Sequence, residues 1–226
     1  MNWLKRNWYW LLLGAAALAT VCMDVYAALR LLDGDISDYV YRGWLMARNH
    51  DVLLKDYYRT TELNLLGQHW AYALFFLFME DWSLVHILGT VLMQSLYVLS
   101  FLYMGRQAGI RKPVRVACAA LLLAPFSTAY ARIVLYQCYY ILYMTEAFLL
   151  AGLTLHTLRL WQQGRRKALI PGILLGVLWV LVGLNGVRHM MIVGAPLLLF
   201  AFIRLIQALN EHGWKKALLR TEAFRL

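Results

Sequence analysis

Apolar residues recur along this chain in long runs almost free of charge, at 8–29, 84–104, 114–130, 136–158, 168–184 and 190–208. Each run holds roughly the 17–25 residues that an α-helix needs to cross about 30 Å of hydrocarbon. The pattern predicts an all-α, polytopic transmembrane helical bundle of about six spans. A seventh run, "LLGQHWAYALFFLFM" at 65–79, reaches only about 22 Å at about 1.5 Å per residue. It carries Gln68 and His69 at its start and is expected to lie on or dip into one leaflet without crossing.

Charge assigns the sides. With the N-terminus inside and 65–79 not crossing, the inside segments hold fifteen of the 22 basic residues, around 5–6, 106–115, 159–167 and 204–225. If 65–79 crossed, the basic loops 105–115 and 159–167 would face outward, against the bias of Lys and Arg towards the cytoplasm. The expected organisation is a single module: a first span at 1–30, an extracytoplasmic loop at 31–83 with interfacial helices, five spans at 84–208 and a basic cytoplasmic tail at 209–226. The first apolar run is too long for a cleaved signal and reads as a retained anchor. The expected location is the plasma membrane, with membrane lipids as partners.

Composition agrees and excludes other classes. Apolar residues make up 62% of 226, whereas soluble domains are nearer half apolar. The net charge of +10 therefore reports loop topology, and no basic stripe interleaved with stacking aromatics points to nucleic acid. Cys22, Cys118 and Cys138 all lie in apolar segments without metal-ligand spacing. His69, His86 and His189 read as packing residues. Of four prolines, Pro113 and Pro171 fall near span starts, while Pro125 and Pro196 are expected to kink their helices.

The polar exception is "RLLDGDISDYVYRGWLMARNHDVLLKDYYRTTELNLLGQHW", which gathers Asp33, Asp35, Asp38, Asp51, Asp56 and Glu62, half of the twelve acids. "DISDYVYRGWLMAR" predicts a helix with Ile36, Val40, Trp44 and Ala47 on one apolar face. Asp38 and Arg42 stand one turn apart, able to pair. Asp35 suits the N-cap and Asp38 the first turn. Elsewhere Asp24 and Glu146 lie within apolar runs, where a charge is expensive and marks function by default. Glu146 could equally bond a neighbouring tyrosine. Arg132 and Arg188 lie at outer span ends, where they could hold a phosphate or snorkel to lipid headgroups.

The order of these features resembles the GT-C fold glycosyltransferases, among them the protein O-mannosyltransferases and the lipid A aminoarabinose transferase. "SDYVYRGWLMARNHDVLLKDYY" is similar to that family's acidic motif opening a juxtamembrane helix, with Asp38 on the acidic position and Tyr39 where a second acid is usual. "RTTELNLLGQHWAYALFF" stands at the family's approach to its dipping helix but lacks the prolines. "LYMGRQAGIRKPVRVACAALLLAPFSTAYARIVLYQCYY" resembles the basic turn, the next span and an outer Arg/Tyr loop, which holds Arg132 and Tyr136. "LLGVLWVLVGLNGVRHMMIVGAPLLL" resembles a segment with a basic residue at an outer turn, here Arg188. Family members are about twice this length, so the chain reads as an N-terminal module or fragment.

The resemblance implies transfer of a sugar from a polyprenyl-phosphate donor to an acceptor at the outer face. Asp38, with Asp35 second, would be the catalytic carboxylate. Arg188, Arg132, Arg42 and Tyr136 would bind substrate. It admits a divalent metal ion and fixes none. Two other readings stand beside it: a transporter or lipid flippase using Glu146 and Asp24, and a non-catalytic assembly subunit.

Overall fold

A computed structural model describes residues 2–28, 30, 34–54 and 65–212; Asp33, Asp56 and Glu62 of the acidic stretch lie outside them. The helices are α1 (Asn2–Ala28), α2 (Gly34–Asn49), α3 (His69–Phe76), α4 (Trp82–Gln107), α5 (Lys112–Leu123), α6 (Ile141–Gln163), α7 (Arg165–Asn185), α8 (Val187–His189) and α9 (Ala195–His212). Wider π-helical turns lie at Tyr130–Tyr136 and Met190–Gly194. Among the described residues, four helical stretches are long and apolar enough to cross a membrane: Arg6–Ala28, Trp82–Gln107, Ile141–Gln163 and Arg166–Asn185. The described residues are helical with no strand, and the four apolar helices are of the kind a membrane protein has.

Two expected spans are not single long helices. α5 has 12 residues, about 18 Å of rise. It stops because Pro125 disfavours helical geometry at the residue before it, and Ala124 is extended at φ −75°, ψ 124°. Pro125 therefore ends a helix, where a kink was expected. Pro196, the second residue of α9, follows the wide turn Met190–Gly194. A proline lacks the N–H and crowds the carbonyl four residues back, and a wider turn accommodates both.

Side-chain pairs set the helix directions. Tyr97 stacks on Phe148 at 5.8 Å, the Tyr103 hydroxyl is 2.9 Å from His156 Nδ1, and Arg159 donates to the Gln107 carbonyl at 2.6 Å. These pairs advance together, so α4 and α6 run parallel, and the chain between them returns from one end of the bundle to the other. α7 runs back along α6, with Asn185 near Glu146 and Gly172 near Thr157. Gln107, Arg159 and Lys112, the last over the Trp10 ring at 5.3 Å, mark one end. α2 and α3 mark the other.

At that second end, α2 buries Ile36, Val40, Gly43 and Met46. The stripe is rotated from the expected one, since Trp44 and Ala47 are only half-buried. The cause is a close crossing with α3. A Cβ on Gly43 would lie 2.9 Å from both the Ala73 nitrogen and the His69 carbonyl oxygen and 2.7 Å from Tyr72 Cβ. Tyr72, 1% exposed, fills the other side of α3 and lies over Gly89 of α4. Backbone atoms cannot move aside as a side-chain tip can, so Gly43→Ala is expected to lower stability by about 1–3 kcal/mol. Thermal unfolding in detergent measures this; an unchanged midpoint would mean that α2 and α3 do not cross so closely.

Candidate functional site

Asp38 and Arg42 form an ion pair of 2.7 Å, with side chains 34% and 13% exposed. It follows from their i, i+4 spacing on α2. Asp35 is exposed in the first turn, one residue inside the helix and not at its cap. Between the two acids and Arg42, Tyr39 turns inward. Burial pushes its phenol up to about 12, reinforced by Tyr139 and opposed by Arg42. The group is therefore a neutral hydrogen-bonding phenol at any ordinary pH.

Tyr39 belongs to the wall of a small pocket that is open to solvent, with Gly67, Gln68, Tyr139, Tyr143 and His189 among its other members. Four parts of the chain build it: α2, the approach to α3, the turn before α6 together with the start of α6, and α8. Arg188 reaches its rim, donating through Nη1 to the Tyr139 hydroxyl at 2.6 Å. Cys138, also in the wall, holds φ at 53° while 1% exposed. A non-glycine residue in that region is strained, and such residues cluster at functional sites.

None of the residues expected at substrate lines this pocket: Asp38 and Arg42 flank the lining residue Tyr39 on α2, and Arg188 bonds the lining residue Tyr139. Arg132 is exposed on the turn Tyr130–Tyr136, and the pocket wall includes neither it nor Tyr136. Tyr136 is 2% exposed. It meets the His86 ring at 5.0 Å and shares a core cluster with Ile36, Val40 and Tyr72. It seats α2 from below. Among the described residues no three His, Cys, Asp or Glu are grouped to hold a metal ion.

Two histidines divide the expectation of packing. His86 lies between Tyr72 and Tyr136, as a packing residue does. His189 does more: its Nδ1 lies 2.6 Å from Glu146 Oε2, with both side chains at most 3% exposed. Asn185, fully buried, joins them. A tyrosine partner for Glu146 was one of two readings; it finds this histidine, whose ring packs against Tyr143 at 4.2 Å. Asn185 escaped the sequence reading altogether. Its signal was the i, i+4 spacing to His189 across Gly186, beside an acid in an apolar helix that needed a partner. Gly186 holds φ at 152°, where a side chain is strained, and there α7 gives way to α8.

A polar, tyrosine-walled pocket at one end of a helical bundle, whose described residues include four helices apolar enough to cross a membrane, is thus the class of molecule in hand. Comparison with protein-family models, curated proteins and solved structures gives no match.

Proposed function

We propose that the chain is a membrane glycosyltransferase of GT-C type that moves a sugar from a polyprenyl-phosphate donor to an acceptor hydroxyl at the outer face. The observation that carries this reading is the placement of Asp38: a partly exposed carboxylate, held by Arg42, beside a pocket walled by phenols and rimmed by Arg188.

In the reaction, Asp38 accepts the proton of the acceptor hydroxyl as its oxygen bonds to the anomeric carbon. The bond from that carbon to the phosphate oxygen breaks, and the lipid phosphate leaves with the electron pair. Inversion follows from attack opposite the leaving group. Asp38 then returns its proton to water. Arg188, with Arg132 as a second interfacial cation, would offset charge growing on the departing phosphate. Tyr39 and Tyr139 suit hydrogen bonds to sugar hydroxyls. Asp35 is the alternative base.

The proposed topology has six passes: α1, α4, α5 with the turn after it, α6, α7, and α8–α9. The N-terminus is cytoplasmic and the membrane is the plasma membrane. The parallel course of α4 and α6 supports a return pass between them, and the basic end would face inward. α3, eight residues and about 12 Å long, would rest in the outer leaflet with exposed Trp70 and Leu74 towards lipid. Single cysteines at Val52 and Arg106 are expected to label from opposite sides in oriented vesicles. Labelling from one side would remove the six-pass arrangement.

A transporter or flippase is the second reading, favoured by Asp24 and Glu146, at most 2% exposed inside α1 and α6. The test is sugar transfer in vesicles from a polyprenyl-phosphate donor. The glycosyltransferase loses turnover in Asp38→Asn and keeps it in Glu146→Gln. Absence of transfer by the parent protein with every donor tried, together with solute or lipid movement lost in Glu146→Gln, would select the transporter.

A further inference from the structure

One buried network ties together four separate parts of the chain. Glu146 is in the second turn of α6, Asn185 ends α7, His189 ends α8, and Leu66 precedes α3. Asn185 Oδ1 accepts from the Leu66 N–H at 2.7 Å. A backbone N–H can only donate, so this bond decides which end of the Asn185 amide is oxygen. Nδ2 then faces Glu146 Oε1 at 3.4 Å and His189 Nε2 at 2.9 Å. His189 Nδ1 lies 2.6 Å from Glu146 Oε2, and Asn185 Nδ2 lies 3.1 Å from that ring nitrogen as well as 2.9 Å from Nε2, so the amide rests against both nitrogens of the ring. The carboxylate oxygens and both ring nitrogens are all engaged. A buried network satisfied in this way orders its members and holds no group in reserve for a substrate.

We propose that Glu146, His189 and Asn185 are positioning residues that hold two parts of the outer pocket in place: the lip Leu66–Gln68 and the cation Arg188. The lip is tied to α7 by the Asn185 bond, across 119 positions of sequence. Arg188 adjoins His189 in a helix of three residues, so anchoring His189 directs Arg188 towards Tyr139. The clamp is independent of the reaction. Only its effect on transfer rests on the glycosyltransferase reading.

Cys138 reports the state of the lip, because it lines the pocket and is 1% exposed. Cys22 is exposed and Cys118 half-buried, so both are replaced by alanine. In this background an impermeant maleimide is expected to label Cys138 slowly. Glu146→Leu removes both acceptors, and Asn185→Ala removes the tether to Leu66 with the amide's contacts to Glu146 and His189 while leaving the Glu146–His189 pair. Each is expected to speed labelling at least about tenfold. Glu146→Gln keeps an acceptor for His189 Nδ1 and is expected to stay within about twofold of the parent. Should Glu146→Leu fail to insert, Asn185→Ala decides. An unchanged rate in Asn185→Ala overturns the clamp. Labelling in Glu146→Gln as fast as in Asn185→Ala also overturns it, because a charge-dependent device would then be at work. In the transfer assay, Asn185→Ala is expected to raise the donor KM about tenfold with kcat within about threefold. A protein without transferase activity would fail this last arm and still give the labelling result.

Discussion

Asp38→Asn is expected to insert and fold normally and to transfer sugar at least about a hundredfold more slowly. The folding half rests on small terms. Asn is nearly the size of Asp, and the pair with Arg42 is i, i+4 on a helix with Asp38 34% exposed, a class of pair that contributes about 0.3–0.5 kcal/mol. The rate half rests on the chemistry. A positioned general base contributes typically about 10²–10⁴-fold, and an amide cannot take the proton. The companion variant is Asp51→Asn. Asp51 lies in the turn after α2, where its carboxylate accepts from the Leu53 N–H at 2.9 Å, so the substitution loosens a turn without touching the pocket. Initial rates of transfer in vesicles compare the two. Equal rates would end the case for Asp38, and a loss found only in Asp35→Asn would move the base three residues earlier on α2.

The second large effect is expected at Arg188. Arg188→Gln should lower kcat by about 10²–10³-fold, the scale seen when one preorganised donor to developing negative charge is removed. Arg188→Lys keeps the charge but loses the planar fork that matches phosphate, so its rate should fall between the two. Arg132→Gln is the comparison. Its guanidinium belongs to a different element, whereas Arg188 bonds Tyr139 of the pocket wall, so a smaller loss is expected. Single-turnover measurement with bound donor separates the chemical step from binding. If Arg132→Gln proves the more damaging, the lipid phosphate sits beside Tyr130–Tyr136 and not beside Tyr139.

Local residue order carried the class and the chemistry of α2. Long uncharged runs define a helical membrane protein because the hydrocarbon tolerates little else. Asp38 and Arg42 were readable as a pair because four residues make about one helical turn. Pro125 was readable as a disturbance, and the extended Ala124 before it shows that it stops the helix and does not kink it.

Tertiary structure decided the rest. Gly43 carries no hint of a partner in the residues around it; only the crossing with α3 explains why it is glycine and why Trp44 is not the buried residue. Tyr136 looked like a substrate ligand beside Arg132 and became part of the core below α2. Glu146 needed a partner, which the apolar run alone made plain, yet its partners come from 39 and 43 residues further on. Periodicity along one helix reports which residues share a face. It carries no information on which other helix that face will meet, because helix pairing depends on the summed fit of many side chains from distant segments. The membrane class and the pairing within α2 were therefore local and legible, whereas the pocket, whose wall draws on four segments, existed only once the helices had packed.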